Sequence, residues 1–292
     1  MEAIVEVRGL TKQYGEHTAI SDLSFTMEKG KVYGFLGPNG AGKSTTMNIM
    51  TGYLAPDAGS VSVLGYDITR DALEAKKHIG YLPEIPPLYP DMTIREYLTH
   101  VARLKKIPKE RQRDMLARIL KMTHTGSFAD RLIRHLSKGY RQRVGMAQAL
   151  IGFPDILILD EPTVGLDPQQ IIEVREMIDS LRSDHLVILS SHILSEVSEV
   201  CDELLIISRG KKVAQGPIAA LEEAYRIQKE ITVTIAKDGS PGQRERAKKV
   251  LTDAGFEVSG VREEGRTLEE IFLRLTKESA PVPDGARSED AD

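Results

Sequence analysis

The chain has 292 residues, 41% of them hydrophobic and 28% charged, with a formal net charge of −4 and a single cysteine. That length accommodates one large domain plus a smaller one, while the lone Cys201 excludes an internal disulfide and fits a reducing compartment. No apolar run approaches the roughly 18 residues a membrane-spanning helix needs, so any membrane role has to pass through a partner; the near-balanced charge argues against nucleic acid as a partner.

The opening run carries charges among its apolar residues and no positive leader, so a strand is expected there, not a signal peptide, and a cytoplasmic protein. Ile4 to Arg8, Ala19 to Met27 and Ser60 to Val63 read as antiparallel strands, with Glu28-Lys29-Gly30 as a turn. Val32 to Leu36, Ile156 to Asp160, Leu186 to Ser190 and Glu203 to Ser208 are short apolar runs suited to a parallel sheet buried on both faces. Helical patterns lie between them at Ser44 to Thr51, Gln169 to Arg182 and Leu194 to Cys201, which makes the fold class α/β. Cys201, flanked by Val197, Val200, Leu204 and Leu205, reads as a small buried hydrophobe.

From about 88 to 146 the strands stop, and helices are expected at Ile94 to Lys105, at Lys109 to Met122 and after Ser137. This is an inserted helical subdomain within a main domain spanning 1–224. Residues 225–278 read as a small α/β accessory domain, with strands at Glu230 to Ala236 and Phe256 to Val261 and helices at Gln243 to Ala254 and Leu268 to Thr276. Ser279 to Asp292 holds four acids, one arginine and almost no core-forming residues, and is expected to be a disordered acidic tail. Between Arg103 and Arg143 stand thirteen Lys or Arg against three Asp or Glu, which reads either as a solvated helical face or as a surface for anionic headgroups or an acidic partner.

Chemistry concentrates at Gly37-Pro38-Asn39-Gly40-Ala41-Gly42-Lys43-Ser44-Thr45, which fits G-x-x-x-x-G-K-[ST] between an apolar strand and a helix. Its glycines let backbone N–H groups converge on phosphate oxygens, Lys43 can reach the β- and γ-phosphates, and Ser44 offers a hydroxyl to Mg²⁺. The expected ligand is a nucleoside triphosphate. Ile156-Leu157-Ile158-Leu159-Asp160-Glu161 is an apolar strand ending in two acids: Asp160 can hold Mg²⁺ through its water shell, and Glu161 can serve as general base for the attacking water. Ser191-His192 closes a further strand.

Leu136-Ser137-Lys138-Gly139-Tyr140-Arg141-Gln142-Arg143 resembles the signature motif of ATP-binding cassette (ABC) ATPases. The order and spacing of phosphate loop, signature, Asp160-Glu161, Asp167 and His192 match that family from Met1 to about Ala224. The resemblance implies a P-loop ABC cassette with a parallel core sheet, an antiparallel β subdomain and the helical insertion. It further implies a head-to-tail dimer, with itself or with a paralogous cassette, in which each ATP lies between one chain's phosphate loop and the other's signature helix. Ser137 and Gly139 would then contact the γ-phosphate across the interface, Asp167 would orient it, His192 would touch the γ-phosphate, and Tyr14 would stack on adenine.

Two sites depart from the general pattern of the family. Lys138 and Tyr140 stand where Leu-Ser-Gly-Gly-Gln has a glycine and a glutamine, and Glu84 stands where relatives place a metal-side glutamine. Both departures resemble the branch that serves ABC-2-type permeases, often exporters and including gliding-motility-type cassettes, and Thr267 to Thr276 resembles a shortened form of its accessory domain. The implied protein is an ATPase subunit on the inner face of the cell membrane that drives a separate integral membrane permease. Rival readings are a non-transport cassette ATPase, against which stand the single cassette and the lack of sustained heptads, and a nucleotide sensor without turnover, against which stands Glu161.

Overall fold

Strands of alternating pattern and strands that are unbroken apolar runs sort into two different sheets. In the computed structural model, which describes residues 3–191, 197–224 and 243–256, the first sheet is antiparallel. It contains β1 (Ala3–Tyr14), β2 (His17–Glu28), β4 (Ala58–Val63) and β5 (Tyr66–Asp67), in the order β2-β1-β4-β5. The second sheet contains β3 (Val32–Leu36), β6 (Ile79–Leu82), β7 (Ile156–Asp160), β8 (Leu186–Ser191), β9 (Glu203–Ser208) and β10 (Lys211–Pro217). Its order is β10-β9-β3-β8-β7-β6, parallel except for the β10 edge.

Every residue of β3, β7 and β8 is buried, because this sheet is covered on both faces. The alternation decides which cover each side chain meets. Tyr33, Phe35, Ile156, Ile158, Ile188 and Leu205 pack with the antiparallel sheet and with helix α1 (Lys43–Met50). Val32, Leu36, Leu157, Leu159, Val187 and Leu204 face the other way, in one core with helices α3 (Ile94–Leu104), α4 (Lys109–Met122), α5 (Lys138–Ala149) and α6 (Pro168–Leu181). Each fully buried Leu, Ile or Val contributes about 1.5–3 kcal/mol, so a register slip in a central strand is strongly opposed.

Helix starts follow local chemistry. Thr93 and Glu96 form a capping box before α3, Ser137 accepts from Tyr140 N at the start of α5, and Asp167 accepts from Gln170 N ahead of Pro168, the first residue of α6. Short helices α2 (Ala72–Lys77), α7 (Ile218–Ala224) and α8 (Gln243–Asp253), with single 3-10 turns at Gly126–Phe128 and Ile133–His135, complete the described elements. The chain divides into two compact units, Met1–Gln228 and Lys229–Asp292, and the described part of the second is α8 and the turn after it.

The structure departs from the sequence expectations in extent and at the sheet margins. β1 and β2 run well past Arg8 and start before Ala19, carried by ladder pairs from Leu10↔Leu23 to Tyr14↔His17 that polar residues conceal. β6, β10, β5 and α2 were not expected. β6 has only four residues with Gly80 inside it, β10 is a polar edge strand ending in Gly216-Pro217, and each is held by its neighbouring strand rather than by its own propensity. Much of the basic stretch is engaged locally: Arg134 pairs with Asp91 at 2.9 Å, Arg143 pairs with Glu173, Lys105 donates to the Ile151 carbonyl at 2.9 Å, and Arg118 lies over the Phe153 ring at 4.5 Å. Of the helix expected at Leu194 to Cys201, residues 194–196 lie outside the described residues and 197–198 are helical; both strands and the last helix of the accessory region, apart from Phe256, and the acidic tail lie outside them too.

Cys201 is 8% exposed, and burial pushes its thiol up to about 12. The folded protein should therefore leave this thiol unlabelled by a maleimide or disulfide reagent at pH 8, while the denatured chain should react at one site. Labelling of the native protein as fast as the denatured one would contradict this packing.

Candidate active site

Three strand ends meet at one level of the parallel sheet. Register places Leu36 beside Ser191 and Asp160 beside Ser190, so the segments that follow β3, β7 and β8 emerge together. The phosphate-loop segment follows β3 and turns into α1 at Gly42, which has φ of 104° and whose absent Cβ would lie 2.7 Å from the Ala19 carbonyl oxygen. Only glycine fits there. No side chain caps α1, which leaves its first-turn N–H groups uncovered by a capping oxygen at the mouth of the loop. Lys43 is 8% exposed and its Nζ donates to the Gly37 carbonyl at 2.6 Å, with the Pro38 carbonyl at 3.4 Å.

Asp160 is buried, and Ser190 Oγ donates to its Oδ1 at 2.5 Å. The same Ser190 oxygen accepts from the backbone N–H of Glu161 at 3.0 Å. One hydroxyl thus orients the first acid and anchors the backbone of the second. Glu161 sits at φ of 48°, a conformation that a non-glycine residue adopts only at a cost, and the Ser190 bond helps to hold it. Burial, and secondarily the nearby Asp160 charge, push the Tyr81 hydroxyl up to about 12.

A cleft of about 400 Å³ brings several of the expected site residues together. Its lining includes Tyr14, the loop from Asn39 through Gly40, Ala41, Gly42, Lys43 and Ser44 to Thr45, and also Glu84 and Glu161. Tyr14 is 50% exposed at the rim, with Lys12 Nζ 5.9 Å from its ring centroid. Ser137, Gly139 and Asp167 do not line this cleft. They stand together elsewhere on the same unit: Gln170 lies against Gly139, Asp167 caps the helix that carries Gln170, and Ser137 and Asp167 are exposed. His192 falls outside the described residues. Sequence reasoning missed Ser190 and the cleft residue His17; a serine within the last turn of an otherwise apolar strand was the available signal for the former.

A family model described as ABC transporter matches residues 20–164. The chain is similar to the Nod factor export ATP-binding protein I of Ralstonia nicotianae, 40% identical over 214 residues that cover 73% of this chain and 67% of that protein. It is also similar to the bacitracin transport ATP-binding protein BcrA of Bacillus licheniformis, 32% identical over 302 residues covering 94% of this chain and 98% of that one. A solved ATP-binding subunit of an ABC transporter superposes with a TM-score of 0.72 at 28% identity, over 78% of this chain and 95% of that chain. With the nucleotide-type cleft and the two-sheet cassette in place, these likenesses establish that the chain belongs to the ABC transporter family, as an ATP-binding, ATP-hydrolysing subunit of export type.

Proposed function

We propose that this subunit binds Mg²⁺-ATP in the cleft, hydrolyses it in a sandwich with a second cassette, and drives export through a separate permease on the inner face of the cell membrane. The observation that carries the proposal is the single cleft shared by Tyr14, the phosphate loop, Glu84 and Glu161. Tyr14 stacks on adenine, a flat apolar ring on a half-exposed aromatic. The backbone of Gly37 to Thr45 and the Lys43 ammonium hold the phosphates. Glu161 takes the proton of the attacking water, and Ser190 keeps it and Asp160 in register.

The donors suit Mg²⁺. A buried carboxylate at Asp160 and a hydroxyl at Ser44 are hard oxygen ligands, and a pair of protein ligands completed by phosphate and water is the usual arrangement for this ion. When bound, the ion would offset charge on the β- and γ-phosphate oxygens. Glu84, exposed and lining the same cleft, adds a carboxylate on the metal side. Ser137 and Asp167 are exposed away from the cleft, with the buried Gly139 beside them, which is the arrangement needed if they complete a second chain's site. No described helix is long and apolar enough to cross a membrane, so the membrane step belongs to the permease in this reading.

Replacing Glu161 by Gln should lower turnover by about 10²–10⁴-fold and yield an ATP-dependent dimer in size-exclusion chromatography, because the base is lost while the phosphate contacts persist. A variant that binds ATP yet stays monomeric would contradict the sandwich. Ser190→Ala should reduce kcat with little change in ATP affinity and lower stability by about 1–3 kcal/mol, since a buried carboxylate oxygen loses its donor; an unchanged kcat would remove Ser190 from this role. Glu84→Gln should raise the free Mg²⁺ needed for half-maximal turnover while substantial activity survives, and superimposable Mg²⁺ curves would show that Glu84 acts away from the metal.

A further inference from the structure

The signature turn and the loop leading into α6 meet through an exchange of side chains. Lys138, the first residue of α5, lies over Gly165: a methyl built on that glycine would meet Lys138 Nζ first, then Cε at 2.8 Å and Cδ at 3.1 Å. Gln170, in the first turn of α6, lies over Gly139, where a methyl would meet Gln170 Oε1 first, then Cδ at 2.7 Å and Nε2 at 2.8 Å. Each segment therefore extends one long side chain and receives another on a glycine. Gly165 has φ of 72°, so both its backbone and the space above it exclude a side chain.

Further along the same two helices, Arg143 pairs with Glu173, and its guanidinium lies 5.3 Å from the Tyr140 ring centroid. Tyr140 packs edge-on against Phe128, with centroids 4.5 Å apart. Contacts at 138/165, 139/170 and 143/173 thus join α5 to α6 and the loop before it at successive levels. Glycine at 138, the residue the family pattern has there, could not reach Gly165. The end of the Lys138 side chain, Nζ included, covers Gly165, and no ion pair among the described residues involves Lys138, so what it supplies there is packing.

We propose that Lys138 and Gln170 are reciprocal positioning residues: they hold Ser137 and Gly139 in fixed register with Asp167, and Lys138 does so by the packing of its aliphatic stem. The proposal rests on the sandwich reading given above. A face ordered before the second chain arrives loses less side-chain freedom on association, so the exchange should favour dimerisation without changing how one chain holds ATP.

The test uses the full chain with Glu161→Gln, in which ATP-dependent dimerisation is measured by analytical ultracentrifugation, together with binding of a fluorescent ATP analogue. Lys138→Ala and Gln170→Ala should each raise the dimer dissociation constant by about tenfold, and the double variant by less than the product of the two, because the contacts belong to one unit. Lys138→Met, which keeps the stem and drops the charge, should dimerise like the parent. Binding of the analogue at low protein concentration should be the same for all. Lys138→Met as weak as Lys138→Ala would overturn the role of the stem and point to the ammonium, and alanine variants that dimerise like the parent would overturn the positioning role. A parent that stays monomeric with ATP would overturn the sandwich itself, which keeps the two failures apart.

Discussion

The parallel ladder through β3, β8 and β7 is the constraint on which the site depends. Hydrogen bonding in fixed register brings Leu36, Ser191 and Asp160 to one edge of the sheet, so segments far apart in sequence leave it side by side. Burial on both faces makes that register expensive to change, because a slip by one residue would exchange the two cores. The chemistry at the edge therefore inherits its precision from apolar packing several residues away.

At that edge the buried Asp160 and the unusual backbone of Glu161 share a single support. Ser190 donates to one and accepts from the other, and the two bonds need β7 and β8 to stand as direct neighbours. A carboxylate removed from water is costly unless it is hydrogen-bonded, which explains why a polar residue is tolerated in the last turn of an otherwise apolar strand. Lys43, by contrast, is satisfied by the loop's own carbonyl at Gly37, so the loop and its cation form a self-contained unit that a phosphate can compete for.

What could be read from the sequence was what is local. The phosphate loop, the apolar strand before Asp160-Glu161 and the helix start at Ser137 are contiguous runs, and each has the expected place in the structure. Tyr14 and Glu84 carry little chemistry of their own in one dimension; the family resemblance brought them forward, and the cleft joins both to the loop. Ser190, the strands β6 and β10 and the Lys138 and Gln170 contacts escaped because none is visible without knowing which strand or helix stands next to which. The division of the named residues into a cleft and a separate exposed face is likewise a tertiary fact, and it is the one that makes a second chain necessary in the proposed mechanism.

The most direct measurement of that necessity is cross-linking between two chains that each carry one new cysteine in a Cys201→Ser background. One chain takes Asn39→Cys at the phosphate loop, the other takes Ser137→Cys at the signature turn, both carry Glu161→Gln, and a short bifunctional maleimide is added with and without Mg²⁺-ATP. The account predicts a covalent dimer in the mixture that depends on ATP. No cross-link in the presence of ATP, or the same yield without nucleotide, would contradict it.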